Sequence, residues 1–283
     1  MQRGYMRRFS TLLVITFLSL TLLTACATSV ISATQPTLVD EVTSEPSAVV
    51  TSDQPAVSVT PSVEPAATET IEVCSIDRIQ AKPVYDGELL QKFQTEDKFV
   101  VLTIDDGYWD NVMNEMLDLL KEHDATATFF LLGKPFSENF SDETVQRIVN
   151  EGHDLAYHAY VHPAVADAEK MTKEEWQEDY RLWEEALRTK LGDDLFEKGF
   201  SPYTRVPYGP WTYDYLSFAK DNGLIPVYWS ADNHAFEENR MPLKIGGIII
   251  LHATPEDVSV LQTLLEQDWK VISLSEAMAD SCE

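Results

Sequence analysis

The chain has 283 residues, 44% hydrophobic and 24% charged, the composition of a globular protein of one or two domains. Its 47 acidic residues against 21 Lys and Arg give a net charge of −26, so phosphate backbones would repel it and nucleic-acid binding is excluded. Three cysteines without a C-x-x-C pair exclude thiolate zinc modules and thioredoxin-type redox sites.

Arg3, Arg7 and Arg8 precede an uncharged apolar run from Phe9 to Leu23, the pattern of a secretory signal and short for a membrane span. The run closes on Leu23-Thr24-Ala25-Cys26, which resembles the lipobox of bacterial lipoproteins. That resemblance implies a signal peptide over 1–25, cleavage before Cys26 and a lipid on its thiol, placing the chain on the extracellular face of a bacterial cell membrane. Residues 27–73 contain no Gly, aromatic residue, Lys or Arg, and Ser, Thr and Pro fill 20 of these 47 positions. Such a stretch cannot bury enough apolar surface to offset its ordering entropy. The expectation for 26–73 is a lipid-anchored, disordered stalk with an r.m.s. reach of ~40 Å, and for 74–283 a single domain. Cys74 and Cys282 bracket that domain in an oxidising compartment and are expected to form a disulfide.

Within the domain, strand and helix signals alternate. Lys98 to Ile104 is a continuous apolar run, as in a buried parallel strand. Trp109 to Glu122 has helical spacing through Val112, Met113, Met116, Leu119 and Leu120. Ala127 to Leu132 is a strand, Ser141 caps a helix with Val145, Ile148 and Val149, and Leu155 to His158 is a short strand end. Thr172 and Glu175 form a capping box ahead of a long helix to about Lys190. Tyr203 to Val206 is a strand, and Trp211 to Asp221 a helix stopped by Asn222-Gly223. Ile225 to Ser230 and Gly247 to Leu251 are strands. Thr254-Pro255-Glu256-Asp257 starts a helix, Trp269 to Leu274 is a last strand, and a short helix begins at Ser275. This alternation predicts an α/β fold with a parallel sheet, open or closed into a barrel, and helices outside.

Four polar features fall where strands end: Asp105-Asp106-Gly107, His158 with His162, Arg205-Val-Pro-Tyr-Gly209 and His252. In parallel α/β folds that end carries the active site. Asp-Asp-Gly alone is also a common turn, but adjacent carboxylates ending an apolar strand need neutralising partners, and the extended backbone sends them to opposite sides. His158 and His162, if helical, share one face at a spacing that suits two imidazoles on one metal. Arg205, in apolar surroundings, needs a carboxylate, with Asp105 or Asp232 as candidates. His123 and His153 lack such company and are read as structural.

Thr103-Ile-Asp-Asp-Gly107, His158-x-x-x-His162, Arg205-Val-Pro-Tyr-Gly209, Trp229-Ser-Ala-Asp232 and Leu251-His252 together resemble the ordered motifs of the polysaccharide deacetylases, carbohydrate esterase family 4. The resemblance covers roughly 98–275 and implies a single distorted (β/α) barrel. It implies a divalent metal on Asp106, His158 and His162, Zn²⁺ by its donors, with Co²⁺, Ni²⁺ or Mn²⁺ also suited. It further implies Asp105 as general base positioned by Arg205, His252 as general acid oriented by Asp232, and the backbone N–H of Tyr208 as oxyanion donor. The implied activity is hydrolysis of acetyl groups on a cell-surface polysaccharide, N-acetylglucosamine of peptidoglycan first among them, with no protein partner. Ala159 stands where the family usually has Ser or Thr. Asn-His-Ala-Phe236 follows Asp232 where a second Asp and a Trp are usual, and the stretch to Gly246 is short. Three other readings compete: a non-haem iron oxygenase built on two His and one carboxylate, a hydrolase of another ester or a non-sugar amide, and an inactive wall-binding lipoprotein.

Overall fold

The structure, a computed structural model, describes residues 80–236 and 242–279. Cys26, Cys74 and Cys282, with the signal, stalk, lipid and disulfide expectations, lie outside the described residues. The described part opens with a hairpin absent from the sequence reading: β1 (Ala81–Asp86) and β2 (Leu89–Thr95) run antiparallel, with Asp86 opposite Leu89. A bulge at Val84/Tyr85 explains why it is hard to see. The buried residues of β2, Leu90 and Phe93, are three apart, so the period-2 signature of a strand is broken.

The expected alternation follows. Strand β3 (Phe99–Asp106) is buried except at its last residue, and α1 (Asp110–Glu122) covers it with Val112, Met113, Met116, Leu117 and Leu120. Next come β4 (Thr128–Leu132), α2 (Gly133–Asn139), α3 (Asp142–Asn150) and β5 (Asp154–Ala159). A short α4 (Val165–Ala168) precedes α5 (Lys173–Leu191), whose N-terminus is closed by the Thr172–Glu175 capping box. Then α6 (Asp193–Gly199), β6 (Phe200–Thr204), α7 (Tyr213–Asp221) and β7 (Ile225–Pro226) lead to a 3₁₀ turn at Asn233–Phe236. The described chain ends with β8 (Ile248–His252), α8 (Pro255–Leu265), β9 (Lys270–Ile272) and α9 (Leu274–Ala279). The helix starts read at Ser141 and Thr254 make their cap bonds, accepting the N–H groups of Thr144 and Asp257, and the structure adds Thr212, which accepts that of Tyr215.

The strands pair in parallel in the order β7-β6-β5-β4-β3-β8, with β9 also on β3. Val101 has Ile248 as partner on one side and Ile272 on the other. Thus β9 takes the edge of β3 ahead of the point, Thr103 opposite Thr128, where β4 begins. The expected strand at Ile225–Ser230 is only two residues long, but the chain continues to Ala231, which bridges Ile249 in parallel. Ser230 and Ala231 donate to the Ile248 carbonyl, and Ile250 donates to that of Ala231. The sheet therefore curls until its two edges meet, and the alternatives left by the alternation resolve to a distorted (β/α) barrel. The hairpin completes the junction. Leu90 bridges Val227, and Phe93 N–H donates to the Gly246 carbonyl at 2.7 Å.

Strand parity sorts the core. Val100, Leu102 and Ile104 face the helices, whereas Phe99 and Val101 join Phe93, Phe130, Tyr203 and Val227 inside the curl. Thr103 and Asp105 share that inward parity, which carries a carboxylate to the C-terminal mouth of the barrel.

Candidate active site

Asp105 is 2% exposed and would be costly to ionise alone. Arg205, just past β6 and 1% exposed, donates from Nη1 to Asp105 Oδ1 at 2.6 Å and to Thr103 Oγ1 at 2.9 Å. Its Nε and Nη2 donate to the carbonyls of Val227 and Tyr228, and its guanidinium lies 4.3 Å from the Phe130 ring centre. A buried pair with its other donors satisfied is the arrangement that keeps both charges. Of the two carboxylates expected as partners of Arg205, Asp105 is the one it meets.

Asp106 turns away. It has φ 76° and Gly107 has φ 91°, so two successive left-handed residues swing the chain out of the strand. For an aspartate that conformation costs on the order of 1 kcal/mol, strain of the kind held at functional sites. Its Oδ1 is buried without a hydrogen-bond partner among the described residues, 3.5 Å from His158 Nε2 and 3.7 Å from His162 Nε2. Burial pushes its carboxyl up, but the facing imidazoles, His158 above all, hold it below the ordinary carboxylate range.

The histidine pair reaches this oxygen without a helix. His158 is in β5 and His162 in the loop after it, so the spacing of four works through a strand end and a turn rather than one helical face. Leu131 pairs with Tyr157 and Leu132 with Ala159, which leaves His158 as the bulged residue of β5. Its Nδ1 lies 2.7 Å from the Arg205 carbonyl, so Nδ1 bears the proton and Nε2 presents its lone pair towards Asp106. His162 Nδ1 lies 3.2 Å from the Pro163 carbonyl and presents Nε2 in the same way. Burial lowers the His158 pKa, and the Asp105 and Asp106 charges more than offset it. Asp179 of α5, which the sequence reading omits, fastens this loop: its Oδ1 accepts Tyr157 Oη–H at 2.6 Å and Tyr160 N–H at 2.7 Å. Ala159 is fully buried, and a serine there would need a partner inside the packing.

One ligand atom from each of Asp106, His158 and His162 falls within 4.8 Å of the others. A divalent cation fits this set: two imidazoles with Nδ1 bonded to carbonyls and a carboxylate oxygen lacking a donor. Tyr208, at φ 62°, stands at the mouth with its ring edge-on to His162, centroids 4.5 Å apart.

His252 ends β8 directly opposite Asp105 in register. Its carboxylate partner differs from the expected one. Asp232 lines the cavity, but its Oδ1 accepts the His234 N–H at 3.0 Å and caps its own turn. Asp257, in the first turn of α8, accepts the His252 N–H at 2.7 Å, and the same oxygen lies 3.6 Å from His252 Nδ1. The reason is local: α8 begins three residues after His252, so its capped first turn folds back over the strand end. The sequence marks Asp257 only as a helix-start residue. Its carboxylate holds the His252 pKa above the ordinary value, with Asp105 and Asp106 acting in the same sense. Asp105, Asp106, His158, His162, Arg205, Tyr208, Asp232 and His252 line one cavity of about 390 Å³, together with Trp229, Asn233 and His234.

A curled parallel sheet carries two histidines, paired aspartates and a buried arginine at the C-terminal mouth of a distorted (β/α) barrel. A family model described as polysaccharide deacetylase matches residues 92–227. A chitooligosaccharide deacetylase from Azorhizobium caulinodans is 30% identical over 162 residues, 54% of this chain and 72% of that protein. The chain belongs to the polysaccharide deacetylase family. A peptidoglycan-N-acetylglucosamine deacetylase from Bacillus cereus is 33% identical over 169 residues, 55% of this chain and 56% of that protein. The chain thus spans little more than half the length of that relative. Among solved structures, a family 4 carbohydrate esterase from Bacillus anthracis matches with a TM-score of 0.54 at 25% identity, over 68% of this chain and 87% of that one. A CE4 family pseudoenzyme from Bacillus anthracis matches with a TM-score of 0.57 at 20% identity, over 71% of each chain, a likeness of fold alone.

Proposed function

We propose that the chain is a metal-dependent deacetylase of N-acetylated polysaccharide, acting on N-acetylglucosamine units of peptidoglycan or a related glycan. The observation that carries the reading is the orphaned Asp106 oxygen facing two imidazoles, beside a separate, arginine-paired Asp105. Asp106, His158 and His162 would hold the cation, for which Zn²⁺ is the best match. When bound, the ion supplies Lewis-acid polarisation of the acetamide carbonyl and a more acidic water.

Asp105, paired with Arg205, takes a proton from the attacking water as the water oxygen bonds the acetyl carbon. The Tyr208 N–H donates to the carbonyl oxygen as negative charge develops there, a contribution of about 3 kcal/mol. His252 gives a proton to the amine nitrogen as the C–N bond breaks, and acetate and a free amine leave.

The test is metal content measured beside acetate release on peptidoglycan, chitin oligomers and acetylated xylan. Asp106→Asn should lose metal and activity together. Asp105→Asn should keep the metal and lose about 10²–10⁴-fold in rate. Acetate release that survives both substitutions, or a metal-free Asp105→Asn beside a metal-loaded Asp106→Asn, contradicts the assignment.

A further inference from the structure

His252 lies beyond residues 92–227, which the family model matches, and the chain departs nearby from the family pattern, with Asn-His-Ala-Phe236 after Asp232 where a second Asp and a Trp are usual. Asp232 is occupied with the His234 N–H of its own turn. Asp257 is fixed at both oxygens: Oδ2 takes the His252 N–H at 2.7 Å and lies 3.6 Å from Nδ1, while Oδ1 accepts from Asn233 Nδ2 at 2.9 Å. The Asp257 backbone N–H bonds Thr254 Oγ1, which seats the residue in the first turn of an eleven-residue helix. A carboxylate there is favoured by the free amides and the helix dipole. Asp257 is 1% exposed, so this anion is screened from water and aimed at one imidazole.

We propose that Asp257, braced by Asn233, is the positioning residue that turns His252 with Nδ1 towards the carboxylate and Nε2 towards the cavity, ready to protonate the leaving amine. The role expected of Asp232 passes to helix α8. Asn233 itself lines the cavity, so the substrate wall and the proton donor share one brace. This inference rests on the deacetylase reading for its chemistry, but the geometry of the brace does not depend on it. The other charged groups acting on His252 are Asp105 and Asp106 at the end of β3, and Asp232 lines the same cavity.

The test uses the full chain loaded with Zn²⁺ and two readouts: kcat and KM for acetate release from an N-acetylglucosamine oligomer, and the His252 imidazole titration followed by NMR. Asp257→Asn should lower kcat about 10²-fold with KM little changed, lower the His252 pKa by about one unit, and change its tautomer. Asn233→Ala, on a different element, leaves helix α8 intact and should shift the titration in the same sense by a smaller amount. Asp232→Asn should leave the titration in place. The brace is overturned if the His252 titration ignores Asp257 and Asn233, or follows Asp232 instead. An active wild type whose kcat is indifferent to Asp257 overturns the positioning role alone. A wild type that releases no acetate but keeps an Asp257-dependent titration overturns the deacetylase reading and leaves the brace standing.

Discussion

His153 and His252 occupy the same barrel and titrate in opposite senses. His153, 3% exposed, accepts the Ala127 N–H at Nδ1 and packs edge-on against Phe129. Burial pulls its pKa down to about 4. Because the folded value lies below the unfolded one, about 6.5, stability is full above that pH. It falls on acidification, as the unfolded chain takes up its proton first, until about pH 4. The loss approaches about 3 kcal/mol, at 1.36 kcal/mol per pH unit. In His153→Asn the amide oxygen can accept the same N–H but cannot titrate. The stability difference between wild type and variant, from urea unfolding, should shrink by about that amount from pH 7 to pH 4. A difference that stays constant would mean that His153 does not titrate in folding. His252 works the other way: with its folded pKa raised, its contribution is present below about pH 6.5 and is lost as pH climbs through the folded value.

Glycine at 246 shows how one element junction governs the closure of the sheet. Gly246 has φ +69°, accepts the Phe93 N–H and donates to the Phe99 carbonyl, so it ties β2 to β3 just ahead of β8. A Cβ there would stand 2.2 Å from the Phe93 carbonyl oxygen, a backbone atom that cannot swing aside. Gly246→Ala is expected to destabilise by more than about 2 kcal/mol. Gly87→Ala, also at positive φ but with nothing within 4 Å, should cost about 1 kcal/mol. Urea midpoints of the two variants decide it, and equal shifts would contradict the clash. The same scale separates what the sequence discloses from what it conceals. The Thr172–Glu175 box and Pro255 mark helix starts because caps are local chemistry. The β1–β2 hairpin is concealed because its bulge breaks the alternation, and the His158–His162 spacing suggests a helix because a bulged strand and a turn imitate one.

At the scale of the whole chain, the different partners of Asp105 and Asp106 were legible in two adjacent letters, although the divergence comes from the left-handed turn at Asp106 and Gly107 rather than from the extended backbone expected. The partnership of His252 with Asp257 was not, because it arises from a helix folding back over a strand end, and Asp232 offered a carboxylate nearer the family motif. If Cys26 carries lipid, labelled palmitate should enter the wild type and not Cys26→Ser; label retained by the variant counts against an anchor. Lastly, the pairing of β3 has a consequence in time. Val101 must wait for Ile248 to fill one edge of its strand and for Ile272 to fill the other. About 170 residues separate Val101 from Ile272, which at ~5–20 residues per second of synthesis is roughly 10–35 s. During that interval β3 can pair with β4 only from Thr103 to Asp106, and its Phe99–Val101 half lacks its sheet partners. A topology that gives this half of β3 its partners only from β8 and β9 delays closure of the barrel until residues 248–272 have been made.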